Sequence, residues 1–445
     1  MARASLLLVL FLLPKLAFGQ TTFSLDSYTP PSGQAATTGG QTAPPGGQHA
    51  PIPSKVITLD EAISLALANS PAINATRTQI HQNQAQETTA NLRPNPVLSA
   101  DSQFIPVFSP SQFPTDVEQY DIGLGYTFER GRKRQNRLQA ARDQTAVTSA
   151  QAADAGRTLA FNVAQQFINV LLAESNLKFA EEGLKSFQQT VDISEQRYKA
   201  GDISEGDYLK IRLQLLQFQT DVSSARVARA QALGSLRQLI GYAAIQRDYD
   251  VAGDLAYQPL TARLEDLQAK ALSERPDLRA AQQGITAAKS QVALAKANGK
   301  QDVNLIGTYS HTSGLNALSW FLSIPLPIFD RNQGEIARTR FALTQAEFTE
   351  KAGLDTVMTD VTNAYEATTT NQEVVQLYMS GYLKQAQDSR DISAYAYKGG
   401  AATLLDFLDA ERSYRTTQLA YRQALAAYML SLEQLRQAVG TRSLP

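Results

Sequence analysis

The chain has no cysteine, three histidines, four methionines and one tryptophan among 445 residues. Without cysteine there are no disulfides, no thiolate metal sites, no cysteine nucleophile and no lipid anchor on an N-terminal cysteine. His49, His81 and His311 are widely separated and have no ligand spacing, so neither a metal site nor a cofactor is expected. Charge is sparse as well, at 19% of residues with a formal net charge of −1. A nucleic-acid partner is not expected, because a phosphate-binding surface needs a concentrated excess of Lys and Arg. No Gly-rich phosphate loop and no Ser/His/Asp set is present, so the chain does not read as an enzyme.

Long apolar runs are also missing. A bilayer-spanning helix needs roughly 20 apolar residues, and the longest run, residues 6–13, falls well short. With Arg3 before it and Ala17-Phe18-Gly19 after it, this run reads as a secretory signal peptide over residues 1–19. Residues 20–54 are rich in Pro, Gly, Gln and Thr, a composition that buries too little apolar surface to order itself, and are expected to form a flexible arm.

What the chain does have is an internal duplication. Asp192-Ile193-Ser194 followed by Tyr198-Lys199-Ala200-Gly201 recurs as Asp391-Ile392-Ser393 followed by Tyr397-Lys398-Gly399-Gly400. The match continues at one constant offset to Leu236-Arg237-Gln238 and Leu435-Arg436-Gln437. Two copies of one helical unit are therefore expected, at 55–241 and 261–440, with a linker over 242–260 and a short tail over 441–445. Such repetition points to a function based on shape.

Each copy reads as a helix, two strands, a very long helix, a tight turn and a long returning helix. Thr58 and Glu61 form a capping box at the first helix, and Leu264-Glu265-Asp266 is its counterpart. Pro71 and Pro276 mark a kink or a join between two helices. Strands are expected over 97–104, 120–128, 303–309 and 318–325. Ile122, Leu124, Tyr126 and Phe128 alternate with Asp121, Gly123, Gly125 and Thr127, which suits either a membrane barrel wall or a small soluble sheet. Four strands are too few to close a barrel, since roughly eight is the smallest number that encloses packed side chains. A membrane reading therefore requires several chains to share one barrel.

The helices carry coiled-coil seams. Val163, Val170, Leu177, Leu184 and Val191 recur every seven residues, and Ile211, Phe218, Ala225, Ala232 and Leu239 repeat this on the return. At the two turns, Gly201 and Gly400 can end the descending helices in the left-handed conformation. Ser204 and Thr403 can cap the ascending helices, with Asp207 and Asp406 three residues on. Asp409 has no such explanation, and the matching residue in the first copy is the basic Lys210.

In these features the chain resembles the outer-membrane efflux ducts of the TolC type over residues 56–440. The residues that carry the resemblance are Thr58-Leu59-Asp60-Glu61-Ala62, Asn69-Ser70-Pro71, Pro94-Asn95-Pro96, the two Tyr-Lys-x-Gly tips, and the run 325–335. The resemblance implies a mainly α fold with four membrane β-strands, in which three chains build a 12-stranded β-barrel continued by a periplasmic α-helical barrel. It implies an outer-membrane exit duct of a tripartite efflux system, partnered by outer-membrane lipid, a periplasmic adaptor (membrane fusion protein) and an inner-membrane pump of the RND type. The runs 129–134 and 325–335 are similar to the branch serving heavy-metal efflux pumps, and equally suit strand-to-helix turn chemistry.

By the same resemblance Asp406 and Asp409 fall where the family places rings of gate acids, and Tyr397 and Asp207 where it places a latch between hairpins. The family's arginine clamp would fall at Ala402, which leaves the latch one link short. Two other readings share part of this pattern: a trimeric coiled-coil adhesive protein, which needs no amphipathic strands, and a passive porin, which normally lacks helices this long.

Overall fold

The computed structural model describes residues 55–103, 119–312 and 314–443. The expected signal peptide and flexible arm lie outside these residues.

Both copies begin with two helices joined at a proline, but only the first opens on a capping box, since Arg263 before the counterpart Leu264-Glu265-Asp266 makes no side-chain cap. Helix α1 (Leu59–Asn69) opens on a reciprocal capping box, in which the Glu61 amide donates to Thr58 Oγ1 at 3.3 Å and the Thr58 amide donates to Glu61 Oε2 at 2.8 Å. The residue before a proline is pushed out of the helical region, so Ser70 is extended (ψ 121°) and α2 (Pro71–Ala90) starts afresh with proline in its first turn. The second copy repeats this in α5 (Leu264–Glu274), Arg275 (ψ 122°) and α6 (Pro276–Asn298). Each proline thus marks a join between two helices.

The four expected strands are present as β2 (Val97–Gln103), β3 (Gln119–Phe128), β5 (Val303–Thr312) and β6 (Leu315–Ser323), the last starting three residues earlier than its pattern suggests. They form one antiparallel sheet in the order β2-β3-β5-β6. Register places Leu98, Leu124 and Trp320 on one face with Ile122, Tyr309 and Leu318. Most of these side chains are exposed, Trp320 at 69%. The opposite face carries Ser99, Gly123, Thr308 and Ser319. Gly307 lets the Trp320 ring lie across its backbone; a β-carbon there would sit 2.8 Å from the ring.

Two shorter strands, β1 (Lys55–Ile57) and β4 (Tyr249–Val251), pair in parallel. β4 falls in the segment 242–260 expected to be a linker, and Ile245, Tyr249 and Val251 pack into the core of the first copy. A three-residue strand is too short to show alternation, so its pattern carries no signal in sequence. The Tyr249 hydroxyl donates to the Leu233 carbonyl at 2.6 Å, and burial pushes its pKa up to about 12. The start of the expected tail is tied down too, by Arg442 to Asp60 at 3.3 Å and by Lys270 to the Ser443 carbonyl at 2.8 Å.

The very long helix of the first copy, α3 (Lys133–Ala200), has 68 residues, a length of roughly 100 Å at 1.5 Å per residue. It returns as α4 (Glu205–Ile240), and the heptad residues Val163, Val170 and Val191 are buried along with Ile211, Phe218 and Leu236. The second copy departs from the expected uninterrupted helix. α7 (Gln333–Leu377) ends in a π turn over Tyr378–Tyr382, then α8 (Leu383–Lys398) continues to the tip, and α9 (Leu404–Val439) returns. Gly381 (φ 138°) breaks the ladder there, a backbone conformation open to glycine and strained for other residues.

Both long helices start from a non-glycine residue in the left-handed region, Arg132 (φ 57°) and Asn332 (φ 62°). The turns are held by Asp302, which takes the Arg130 amide at 3.0 Å and pairs with Lys133 at 2.8 Å, and by Asn332 Nδ2 donating to the Ala295 carbonyl at 2.8 Å. Residues 130–133 and 330–333 therefore do perform the turn chemistry that their sequence suggests.

Candidate functional site: the hairpin tips and the exposed sheet face

Gly201 closes the first tip in the left-handed conformation (φ 81°), and the Asp202 amide donates to the Arg197 carbonyl at 2.8 Å. Ser204 Oγ caps α4 by accepting from the Asp207 amide at 3.1 Å. The Asp207 carboxylate turns instead to Lys210, with 3.4 Å between Oδ1 and Nζ. Tyr198 and Tyr208 stack across this tip, their centroids 5.0 Å apart.

The second tip is built more tightly. α8 ends at Lys398, and Gly400 takes the left-handed position (φ 76°). Thr403 and Asp406 form a full capping box: the Asp406 amide donates to Thr403 Oγ1 at 3.2 Å, and Asp406 Oδ2 accepts from the Thr403 hydroxyl at 2.6 Å and from its amide at 3.2 Å. Those two bonds, led by the hydroxyl, hold the Asp406 carboxyl below the usual carboxylate range. Asp409, one turn further along, is exposed and makes no hydrogen bond or ion pair among the described residues.

Tyr397 and Asp207 do not bond to each other within one chain. Tyr397 is 6% exposed, stacks on Phe407 with 5.3 Å between centroids, and its buried hydroxyl has no partner among the described residues. The hairpins are joined by Arg197, which sequence reasoning passed over. Its Nη1 donates to the Tyr397 carbonyl at 2.8 Å, and its guanidinium lies 5.4 Å from the centre of the Tyr397 ring. An arginine does therefore connect the two tips, contributed by the first hairpin, while Ala402 stands where a clamp was expected. The signal available in sequence was slight: Arg197 directly precedes the Tyr198-Lys199 motif, while Ala396 precedes Tyr397.

Among the described residues, no group of three or more His, Cys, Asp and Glu side chains could hold a metal ion. His81 contacts Gln84 at 3.1 Å and His311 contacts Asn316 at 2.8 Å. Nor is any described helix long and apolar enough to cross a membrane. The surface suited to lipid is the apolar face of the four-stranded sheet, since a strand within a bilayer must alternate apolar and polar sides.

A sheet with one lipid-compatible face, carried on duplicated helical hairpins, defines an outer-membrane channel protein. The chain belongs to the outer membrane efflux protein family, whose pattern matches residues 62–242 and 267–441, one match in each copy. It is similar to the cobalt-zinc-cadmium resistance protein CzcC of Cupriavidus metallidurans, at 25% identity over 372 residues, 82% of this chain and 85% of that protein. It is also similar to the cation efflux system protein CusC of Escherichia coli strain K12, at 26% identity over 273 residues, 58% of this chain and 59% of that protein. Among solved structures, crystal structures of CusC superpose with a TM-score of 0.72 at 21% identity, covering 86% of this chain and 92% of that one. The outer membrane protein VceC of Vibrio cholerae gives 0.69 at 21% identity, covering 86% and 96%.

The chain is thus an outer-membrane exit duct of an efflux system, and not an enzyme. The adhesive and porin readings fall away with the family match over both copies.

Proposed function

We propose that three copies of this chain close a 12-stranded barrel in the outer membrane and continue it as a helical tunnel, carrying metal cations outward from a periplasmic adaptor and an RND-type pump. Four strands with an apolar outer face support the shared barrel, because four cannot close one alone. Exposed apolar residues near the tips and along the hairpins, among them Leu213, Tyr395 and Leu405, support neighbours that cover them. The cation cargo rests on the relatives named for cobalt, zinc, cadmium and cation efflux.

Asp406 and Asp409 lie one turn apart at the start of α9 and are both exposed. Three copies would bring six carboxylates to the periplasmic entrance, giving a negative potential that concentrates cations and makes the entrance a cation-selective gate. Asp409 carries this reading, because the capping box accounts for Asp406 and no bond among the described residues accounts for Asp409. In this reading the latch forms between the hairpins when the tips rearrange: the Tyr397 hydroxyl, buried without a partner among the described residues, would take as its acceptor the Asp207 carboxylate that now faces Lys210.

Planar-bilayer recordings test the gate. The protein should be cation-selective and blocked from the periplasmic side by multivalent cations, and Asp406→Asn with Asp409→Asn should abolish the block while the trimer mass in detergent is unchanged. An unaltered reversal potential in a salt gradient would sink the assignment.

A further inference from the structure

The four-stranded sheet holds almost no charge. Across β2, β3, β5 and β6 there is no Lys or Arg, and the acids are Asp101 and Asp121 alone. Register sets these two directly opposite each other, Asp101 on β2 against Asp121 on β3. Side chains so placed in an antiparallel pair have β-carbons about 4.5–5.5 Å apart, and like charges there are destabilising. In the same row the second pair of strands carries Ser310 and Ala317, so the geometry of the sheet does not itself require acids at this level.

The two carboxylates are held alike. Gln103 Nε2 donates to Asp101 Oδ2 at 2.9 Å, and Gln119 Nε2 donates to Asp121 Oδ2 at 2.6 Å. Each glutamine lies two residues along the same strand, and so on the same face, and the two glutamines are themselves register partners. One oxygen of each acid is left over. Asp121 is 9% exposed, and its Oδ1 is buried with no hydrogen-bond partner among the described residues. The hydroxyl of Ser310, opposite Asp121 on β5, does not donate to it. Asp101 has no bond other than that from Gln103, and neither acid forms an ion pair, among the described residues. A water molecule at Oδ1 would supply a hydrogen bond and leave the repulsion in place, whereas a cation answers both.

We infer that Asp101 and Asp121 bind a hard divalent cation of the calcium type, which bridges their remaining oxygens and fastens β2 to β3. Such an ion takes roughly 6–8 oxygen ligands from carboxylates, carbonyls and water, so two carboxylates and the Ser310 hydroxyl, completed by water, provide for it without a larger cluster of acids. A metal that seeks thiolate or imidazole is not provided for, because the chain has no cysteine and His311, next to Ser310 on β5, lies on the opposite face of the sheet. The pair sits near the strand ends remote from α2 and α3, and its ligands all come from one chain. It is thus independent of the gate acids Asp406 and Asp409 and of how copies assemble.

The test is calorimetric titration of calcium chloride into the full chain in detergent after chelator treatment, using a parent that carries Asp406→Asn and Asp409→Asn so that cations at the tips do not contribute. Saturable binding of about one ion per chain is expected, weakened about tenfold or more by Asp121→Asn and by Asp101→Asn. Thermal unfolding gives a second readout. In chelator, Asp121→Asn should melt above the parent because the facing charges are gone, and in calcium chloride the order should reverse. Sodium chloride at matched ionic strength, which only screens charge, should not reverse it. No saturable binding by the parent, which needs neither strand variant to fold, overturns the site. Unchanged affinity in both strand variants means that carried-over lipid holds the ion, and overturns it as well.

Discussion

In the first copy the descending helix runs from Lys133 to Ala200 unbroken; in the second it is interrupted over Tyr378–Tyr382 and resumes as a separate helix to the tip. Both copies keep the same punctuation: a proline join, a left-handed residue before the long helix, a glycine and a hydroxyl cap at the tip. They differ in what lies between. The first tip has a one-way cap and an acid turned toward Lys210, while the second has a full capping box and a free Asp409. Duplication has preserved the signals that start and stop helices, and divergence has gone into the interior of the hairpins. An unbroken α3 beside a jointed α7 and α8 gives each chain one continuous descending helix and one interrupted at Gly381.

The largest contrast is at the proline joins. Arg275 is 4% exposed and holds Asp277, Asp360 at 2.9 Å and the Ala438 carbonyl at 3.2 Å, whereas the corresponding Ser70 makes no side-chain cap. Burial alone would push Asp277 up, but the Arg275 hydrogen bond and charge hold it below its usual range. Arg275→Ala breaks both ion pairs and leaves the Ala438 carbonyl without its donor, and because Asp277 keeps Arg157 at 3.7 Å and both acids are partly exposed, unfolding of the extracted protein should show a loss at the low end for a broken buried pair, about 3 kcal/mol. Ser70→Ala should cost no more than about 0.5 kcal/mol. Equal losses would mean that the joins are equivalent.

The next contrast is one of sign. Gly381→Ala forces a side chain into a strained conformation and should cost about 1–3 kcal/mol or straighten the helix. Gly183→Ala, in the middle of α3, meets only Phe218 at 3.4 Å and should gain about 0.5–1 kcal/mol. Thermal unfolding followed by helical circular dichroism separates the two, and the same sign for both would erase that contrast.

Smaller effects belong to the tips. Because the Asp406 carboxyl is depressed in the folded chain, its contribution is complete above the ordinary carboxylate range and is lost as pH falls through the lowered value. The protection of the Thr403 amide against hydrogen exchange, taken relative to its intrinsic rate at each pH, should fall over that window, and a flat protection profile would remove the capping bond. Tyr397→Phe deletes a hydroxyl without a partner among the described residues, so stability should change by less than about 0.5 kcal/mol. Single-channel conductance should nonetheless rise, because the hydroxyl is the donor of the proposed latch between hairpins; unchanged conductance leaves Tyr397 as core packing.

Much of this was legible in the chain itself. Thr58, Pro71, Gly201, Ser204, Gly400 and Thr403 act through bonds to residues a few positions away, so their roles can be read from spacing alone. The heptads and the alternation at Ile122 and Leu124 are periodic, and period is a property of sequence. Other features depend on which residues meet across long separations. Arg197 reaches Tyr397 only because two hairpins lie side by side, and β4 is a strand only because β1 pairs with it. The side chains of Asn176, Arg390 and Glu411 line one cavity only when four helices converge. Local hydrogen bonds and periodic burial are written along the chain, whereas contacts between distant segments exist only once packing has brought those segments together.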